Sequence, residues 1–203
     1  MIQTKHTVEG FLKIFDPNTD EIVLEKNNAI NYEALSEAIA YSLSNRGYGE
    51  IYQMAFGSGG SSIDQTGVIT YLPPNTTGQN TTLYNQTYQK IVDDTSVYNL
   101  DPTRNYMTVL HTTGNLYTDI LIQCLLDYGE PSGQAAFDNS TTLDSSYTFD
   151  EIGILANYGT DSSGTQLSRL LTHVIFSPIQ KSLNRQLQIN YTIRIHSLSS
   201  TAS

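Results

Sequence analysis

The amino-acid sequence predicts a mainly β protein, an antiparallel β-sandwich with one amphipathic helix near its N-terminus. Three observations predict it. Short apolar or alternating runs recur along the chain, turn signals rich in Gly, Pro and Asn separate them, and a single stretch repeats its apolar residues at helical spacing. The 203 residues fit one domain. It divides into an N-terminal hairpin (1–28), a helix (31–45) and a β-sandwich (51–196).

The hairpin comes first. Thr7 to Phe15 has strand composition, Glu21 to Lys26 alternates apolar and polar residues, and DPNTD between them opens a turn with Asp16 and Pro17. In the next segment Asn31 caps a helix and Glu33 sits in its first turn. Leu35, Ala38, Ile39 and Ser42 or Leu43 then recur at helical spacing, and Asn45 and Gly47 end it. A lone amphipathic helix among strands is expected to pack as a lid on a sheet. From Ile51 the predicted strands are 51–56, 68–71, 88–93, 106–111, 119–127, 147–156, 170–176 and 187–196, separated by GSGGSS, PPNTTGQN, DPTRN, TTGN, GEPSGQ and NYGTDSSGT.

Leu72 to Asn85 stands apart. It holds Pro73 and Pro74, three Asn and no charge, and is too long for an ordinary loop. It reads as a candidate assembly arm, beginning Leu72, Pro73, Pro74, Asn75. An extended, uncharged segment of this kind is expected to settle against a neighbouring subunit and not against its own core.

Composition narrows the function. Charged residues make up 15% of the chain, well below the usual quarter, so Asn, Gln, Ser, Thr and Tyr cover much of the surface. A net charge of −10 without a basic patch argues against nucleic-acid binding. No run approaches the ~20 apolar residues of a membrane span. The start MIQTKHTVEG lacks an apolar signal core. Synthesis in a cytoplasm is therefore expected, with no membrane partner. Cys124, inside ILIQCLL, reads as a buried small hydrophobe.

Four segments carry a recognisable order. Ile51, Met54, Ala55, Gly57, Gly59 and Gly60 form an I-x-x-M-A-x-G-x-G-G step. Thr81 or Thr82, Leu83, Asn85, Tyr88 and Ile91 follow, then Glu151, Ile152, Gly153 and Ile154. A short strand, Pro178 and Lys181 in a P-x-x-K turn, and a long final strand close the series. The series resembles the N-terminal attachment domain of tailed-bacteriophage tail-collar and tail-fibre proteins, over roughly Ala29 to Ile195. The resemblance implies a non-enzymatic structural component of a tailed-phage particle: a tail, collar or baseplate adaptor or a fibre-attachment protein. It implies other virion proteins as partners, a homo-oligomer, and a place in virions assembled in the bacterial cytoplasm. The stretch from Leu116 to Leu143 is longer than in such domains, and no heptad-rich shaft occurs in the 203 residues, which favours a compact adaptor, collar, baseplate or capsid-surface protein. A capsid decoration protein and a glycan-binding surface module, the latter using the 14 Tyr, are the alternatives.

The residues themselves have structural readings. Gly57, Gly59 and Gly60 are expected to take positive φ in a tight exit from a strand. Glu151 before Gly153 breaks the alternation where a bulge fits. GSGGSS lacks the GK[ST] and the βαβ context of a phosphate loop. His6, His111, His173 and His196 lack ligand spacing. Asp93, Asp94, Asp119 and Asp127 are the oxygen-rich candidates for calcium. No G-x-S-x-G elbow supports a Ser-His-Asp triad. Asp150 and Glu151, adjacent in a strand, are expected to face opposite sides and not to act as a carboxylate pair. No catalytic, cofactor or metal-binding residue is assigned.

Overall fold

The computed structural model describes residues 3–78, 81–131 and 146–200. Part of the long 116–143 stretch, and Gln79 and Asn80 of the candidate arm, lie outside the described residues. In chain order the elements are β1 (Gln3–Phe15), β2 (Ile22–Asn27), β3 (Ala29–Ile30), α1 (Tyr32–Leu43), β4 (Ile51–Gly57), β5 (Ser61–Ile63) and β6 (Ile69–Tyr71). Then follow β7 (Gln86–Ile91), β8 (Tyr106–Leu110), β9 (Tyr117–Leu126), β10 (Ser146–Thr160), β11 (Gln166–Ser182) and β12 (Leu187–Ser200).

Two five-stranded antiparallel sheets pack as a sandwich. The first runs β2-β1-β12-β9-β8 and the second β3-β11-β10-β4-β7, with β5-β6 as a separate hairpin. Alternation fills the space between the sheets. Ile152, Ile154 and Ala156 of β10, Met54 and Phe56 of β4, and Ile189, Tyr191 and Ile193 of β12 all point into one core. Phe149 anchors it, edge-on to Phe56 at 5.5 Å and to Phe176 at 5.8 Å and stacked on Tyr147 at 5.4 Å. Burying one such ring contributes about 2–3 kcal/mol. Cys124 is fully buried in this core, and burial pushes its thiol up to about 12.

The helix forms where its cap and spacing place it. Asn31 Oδ1 accepts from the Ala34 N–H at 3.2 Å, and Asn45 and Gly47 take positive φ just past its end. Its position differs from a lid on a sheet face. Ala34, Leu35 and Ala38 enter the core at the mouth between the sheets. There Leu35, Ala38 and Ile39 line one side of an apolar groove whose other walls are Leu171 of the second sheet and Met107, Val109, Ile193 and Ile195 of the first. A helix this short has too narrow an apolar stripe to cover a five-stranded face, but enough to plug an end.

The outer face of the second sheet is also covered. Leu83 inserts there against Ala55, Leu155 and Leu170 as a second, smaller apolar cluster. Residues 72–78 and 81–85 thus form a strap over their own domain. Its inner side is held: Asn75 N–H donates to His173, Gly78 N–H donates to Glu33, and Asn31 Nδ2 donates to Gly78 O. Leu72, Pro73 and Pro74 stay exposed along its outer side. The segment expected to settle against a neighbour thus packs Leu83 on the outer face of its own second sheet, apart from the main core. The reason is local: Leu83 is the one aliphatic side chain after Leu72 in the segment, and it finds an apolar slot.

Candidate functional site

Beneath the strap lies a buried polar cluster built around β10. The β10–β11 register shifts between Phe149 and Glu151, where four residues of β11 span two of β10. The sequence places a break at Glu151, and the bulge lies there. Pro178 sits in the bulged part of β11, inside a continuous strand and not in a turn. A proline fits because the bulge leaves a position that needs no ladder N–H.

The bulge changes what the two acids can do. Asp150 Oδ1 accepts from the Gly60 N–H at 2.9 Å, and Oδ2 accepts from the Ser61 N–H at 2.7 Å and hydroxyl at 2.5 Å. Glu151 Oε1 accepts from the N–H groups of Gly59 at 3.2 Å and Asn85 at 2.8 Å. Its Oε2 accepts from the Tyr84 N–H at 2.9 Å and from His173 Nε2 at 2.9 Å. Strict alternation separates the two side chains, but here both converge on one loop. They serve main-chain donors and not a shared proton. The N–H groups of GSGGSS, arranged as an anion-binding concavity, are filled by the chain's own carboxylates.

His173 is the residue that sequence reasoning passed over. It stands opposite Gly153 in the β10–β11 ladder and is fully buried. Asn75 N–H donates to Nδ1 at 2.9 Å, so Nδ1 carries the lone pair and Nε2 the hydrogen given to Glu151. Burial alone would push the Glu151 carboxyl up. The hydrogen bonds from His173, Asn85 and Tyr84 outweigh it and hold the group below its ordinary range. One signal was available: a histidine inside the apolar run LLTHVIF must be paired when buried.

The glycines are required by space, not by φ. Gly57, Gly59, Gly60 and Gly153 lie outside the positive-φ set, which corrects the expectation for the first three. A Cβ on Gly57 would stand 2.4 Å from Glu151 Oε1 and 2.5 Å from Asn85 O. One on Gly153 would stand 2.4 Å from Leu170 Cδ1 and 3.0 Å from Leu83 Cδ2. Strap and loop lie directly on the sheet, leaving no room for side chains there.

The structure gathers most of the motif residues and separates the rest. Gly57, Gly59, Gly60, Glu151 and Gly153 meet under the strap. Met54 and Tyr88 face the main core, Tyr88 lying 6.0 Å from the Phe56 ring and 6.2 Å from Tyr147. Lys181 lies near the far end of β11, in strand and not turn. Its buried Nζ donates to the carbonyls of Asp127, Glu130 and Ser182 at 2.9, 2.9 and 3.0 Å.

The other candidates disperse. Asp93 closes its own turn onto Thr95, Asp119 forks with Arg194 at 2.7 Å, and Asp127 pairs with Arg104 and Gln186. His111 faces Tyr117 O and Thr118, and His196 lies near Glu9; the side chain of His6 is outside what is described. Among the described residues no group of three or more His, Cys, Asp or Glu is arranged to hold a metal ion. Among them, too, no helix is long and apolar enough to cross a membrane.

Comparison with known proteins gives no match, whether to a family model, a curated protein or a solved structure.

Proposed function

We propose that this chain is a non-enzymatic structural component of a tailed-phage particle, a tail, collar or baseplate adaptor or a fibre-attachment protein, working as a homo-oligomer among other virion proteins. One observation carries the reading. Three of the four segments whose order resembles the attachment domains close on a single buried latch: the Gly59–Gly60 loop, Leu83 to Asn85, and Glu151 to Gly153. Their shared chemistry is architectural. Among the described residues, the buried acid–imidazole pair of Glu151 and His173, of a kind an enzyme would turn toward a substrate, is fully covered and holds main chain instead. The weakly charged surface suits lasting contact with other proteins, because few ions must be desolvated.

Quantitative mass spectrometry of particles purified from cells that carry the encoding phage tests the reading. The chain is expected in the particle at a small copy number that matches a ring symmetry. A count on the scale of the capsid lattice would move it to the shell as a decoration protein. Its absence from particles would overturn the proposal.

A further inference from the structure

The strap of residues 72–78 and 81–85 is fastened in two different ways. Its ends are held by main chain: the Leu72 N–H donates to Gly60 O at 2.9 Å, and the Ser58 N–H donates to Asn85 O at 3.0 Å. Neither bond involves a titratable group. The other main-chain N–H groups that fasten it, among the described residues, all end on titratable side chains. Asn75 donates to His173 Nδ1 at 2.9 Å and Gly78 to Glu33 Oε2 at 3.1 Å. Tyr84 and Asn85 donate to the two oxygens of Glu151 at 2.9 and 2.8 Å. The strap is also braced within itself. The Tyr84 hydroxyl donates to Pro73 O at 2.7 Å, Asn75 Nδ2 to Thr82 O at 2.9 Å, and the Thr81 hydroxyl to Gly78 O at 2.6 Å. Ties of this kind let a segment open as one unit.

Protons act on these fastenings in one direction. A doubly protonated imidazole donates from both nitrogens, so an Nδ1–H on His173 would face the Asn75 N–H donor to donor. A protonated Glu151 is a weaker acceptor for Tyr84 and Asn85 than the carboxylate. The closed strap helps hold that carboxyl below its ordinary 4.5, so the group takes up a proton more readily once the strap has lifted. The neighbouring groups are engaged elsewhere. Asp150 of β10 accepts from Gly60 and Ser61, Glu33 of α1 from Gly78, and Lys26 of β2 donates to Ile175 O at 2.7 Å. The Tyr84 ring lies 5.7 Å from the imidazole and travels with the strap. Against release stand Leu83 in its apolar slot and Asn31 Nδ2, which donates to Gly78 O at 3.2 Å.

We propose that residues 73–78 and 81–84 form an acid-released strap, which lifts off the second sheet on proton uptake by His173 and Glu151 while the sandwich stays folded. The proposal does not rest on the virion reading. Opening takes one solvent proton onto His173 Nδ1 and one onto the Glu151 carboxylate, and closing returns both. Two linked protons raise the opening constant by up to about a hundredfold per pH unit. Leu72 through its N–H and Asn85 through its carbonyl are the hinges, since those bonds ignore pH. Lifting bares Leu83 and the slot it leaves among Ala55, Leu155 and Leu170. The segment is thus stowed at neutral pH and freed in acid.

The test is hydrogen exchange of the full chain by NMR, between about pH 7 and about pH 4, read as protection factors corrected for the intrinsic exchange rate. In the wild type the amides of Asn75, Gly78, Tyr84 and Asn85 are expected to lose protection together, by about tenfold or more, while those of β10 and β12 keep theirs. His173→Gln and Glu151→Gln each remove one titrating group, so in each the opening should depend on pH less steeply, by about one proton. Should either variant misfold, the wild type and the other variant decide. Strap amides that stay protected down to about pH 4, or lose protection only together with β10 and β12, overturn the proposal. So does a pH dependence that is the same in the wild type and the variants, which would place the proton uptake elsewhere.

Discussion

His173 donates its Nε2 hydrogen to Glu151 across 2.9 Å, with both side chains wholly buried. Each is held from its other side by main chain: the Asn75 N–H on the imidazole, and the N–H groups of Gly59, Tyr84 and Asn85 on the carboxylate. The pair fastens the strap and the loop after β4 to the outer face of the second sheet. Removing one partner leaves the other buried with one hydrogen bond fewer, which typically costs about 1–3 kcal/mol.

Glu151→Gln tests the latch. An amide offers one acceptor oxygen where the carboxylate offers two, and its NH2 faces donors. A loss of about 3 kcal/mol at neutral pH is expected in urea unfolding. The effect should depend on pH. The folded-state carboxyl lies below its ordinary 4.5, so its contribution is complete above that value and is lost as pH falls below it toward the folded value. The gap between wild type and variant should therefore shrink in acid. A gap unchanged from about pH 7 to about pH 3 would mean that Glu151 is not held as the anion.

Gly57 and Gly164 separate two reasons for a glycine. Gly164 has φ +84° and open space around it, whereas Gly57 has no positive φ and no room. Gly164→Ala should cost about 1 kcal/mol, and Gly164→Asn less, because Asn tolerates the left-handed region. Gly57→Ala should cost about 2 kcal/mol or more, and Gly57→Asn should bring no relief. Equal rescue by Asn at both sites, read from melting curves, would return Gly57 to a conformational role.

Lys181 does the work of a bound cation. Its Nζ bonds three carbonyls, and burial pushes it down to about 8 although Glu130 and Asp127 pull it up. Lys181→Met leaves those carbonyls without this donor, and a loss of about 2 kcal/mol is expected at neutral pH. Between about 8 and the ordinary 10.5 the unfolded chain binds more proton than the folded one, so the wild type should gain on the methionine variant as pH rises through that window. A gap that narrows there would show that the charged form is the one the fold favours.

The fold was legible because its signals are local. Asn31, Glu33 and the apolar spacing place the helix, and alternation with turn residues places the strands. The latch was not legible, because it depends on phase carried between strands. Glu151 and His173 are 22 positions apart on paired strands whose register shifts at Phe149/Glu151 and again at Ile154/Leu155. Each shift moves side chains relative to strict alternation, so parity counted along the sequence set Asp150 and Glu151 on opposite faces. Pro178 misled for a related reason. A proline followed by Lys181 reads as a turn, yet a bulged strand accepts proline as readily. For the glycines the residue type was right and the reason was not, since nothing in the local sequence announces that a strap will lie on top of them.

The strap gives the last prediction. Leu83 is buried against Ala55, Leu155 and Leu170, while Pro74, nine residues earlier, is exposed. Were the segment only an arm waiting for a neighbour, neither residue would matter to the isolated chain. In the fold described, Leu83→Ala removes a buried side chain from a small cluster of four. The surrounding strands are held by their ladders and cannot close the gap, so a loss of about 2–3 kcal/mol is expected. Pro74→Ala should cost well under 1 kcal/mol, since it alters only the stiffness of an exposed stretch. Hydrogen exchange gives the local reading: in Leu83→Ala the amides of Tyr84 and Asn85, now donating to Glu151, should lose protection before those of the core strands do. Unchanged stability in Leu83→Ala, with unchanged protection at those two amides, would detach the strap from its own domain and restore it as an arm.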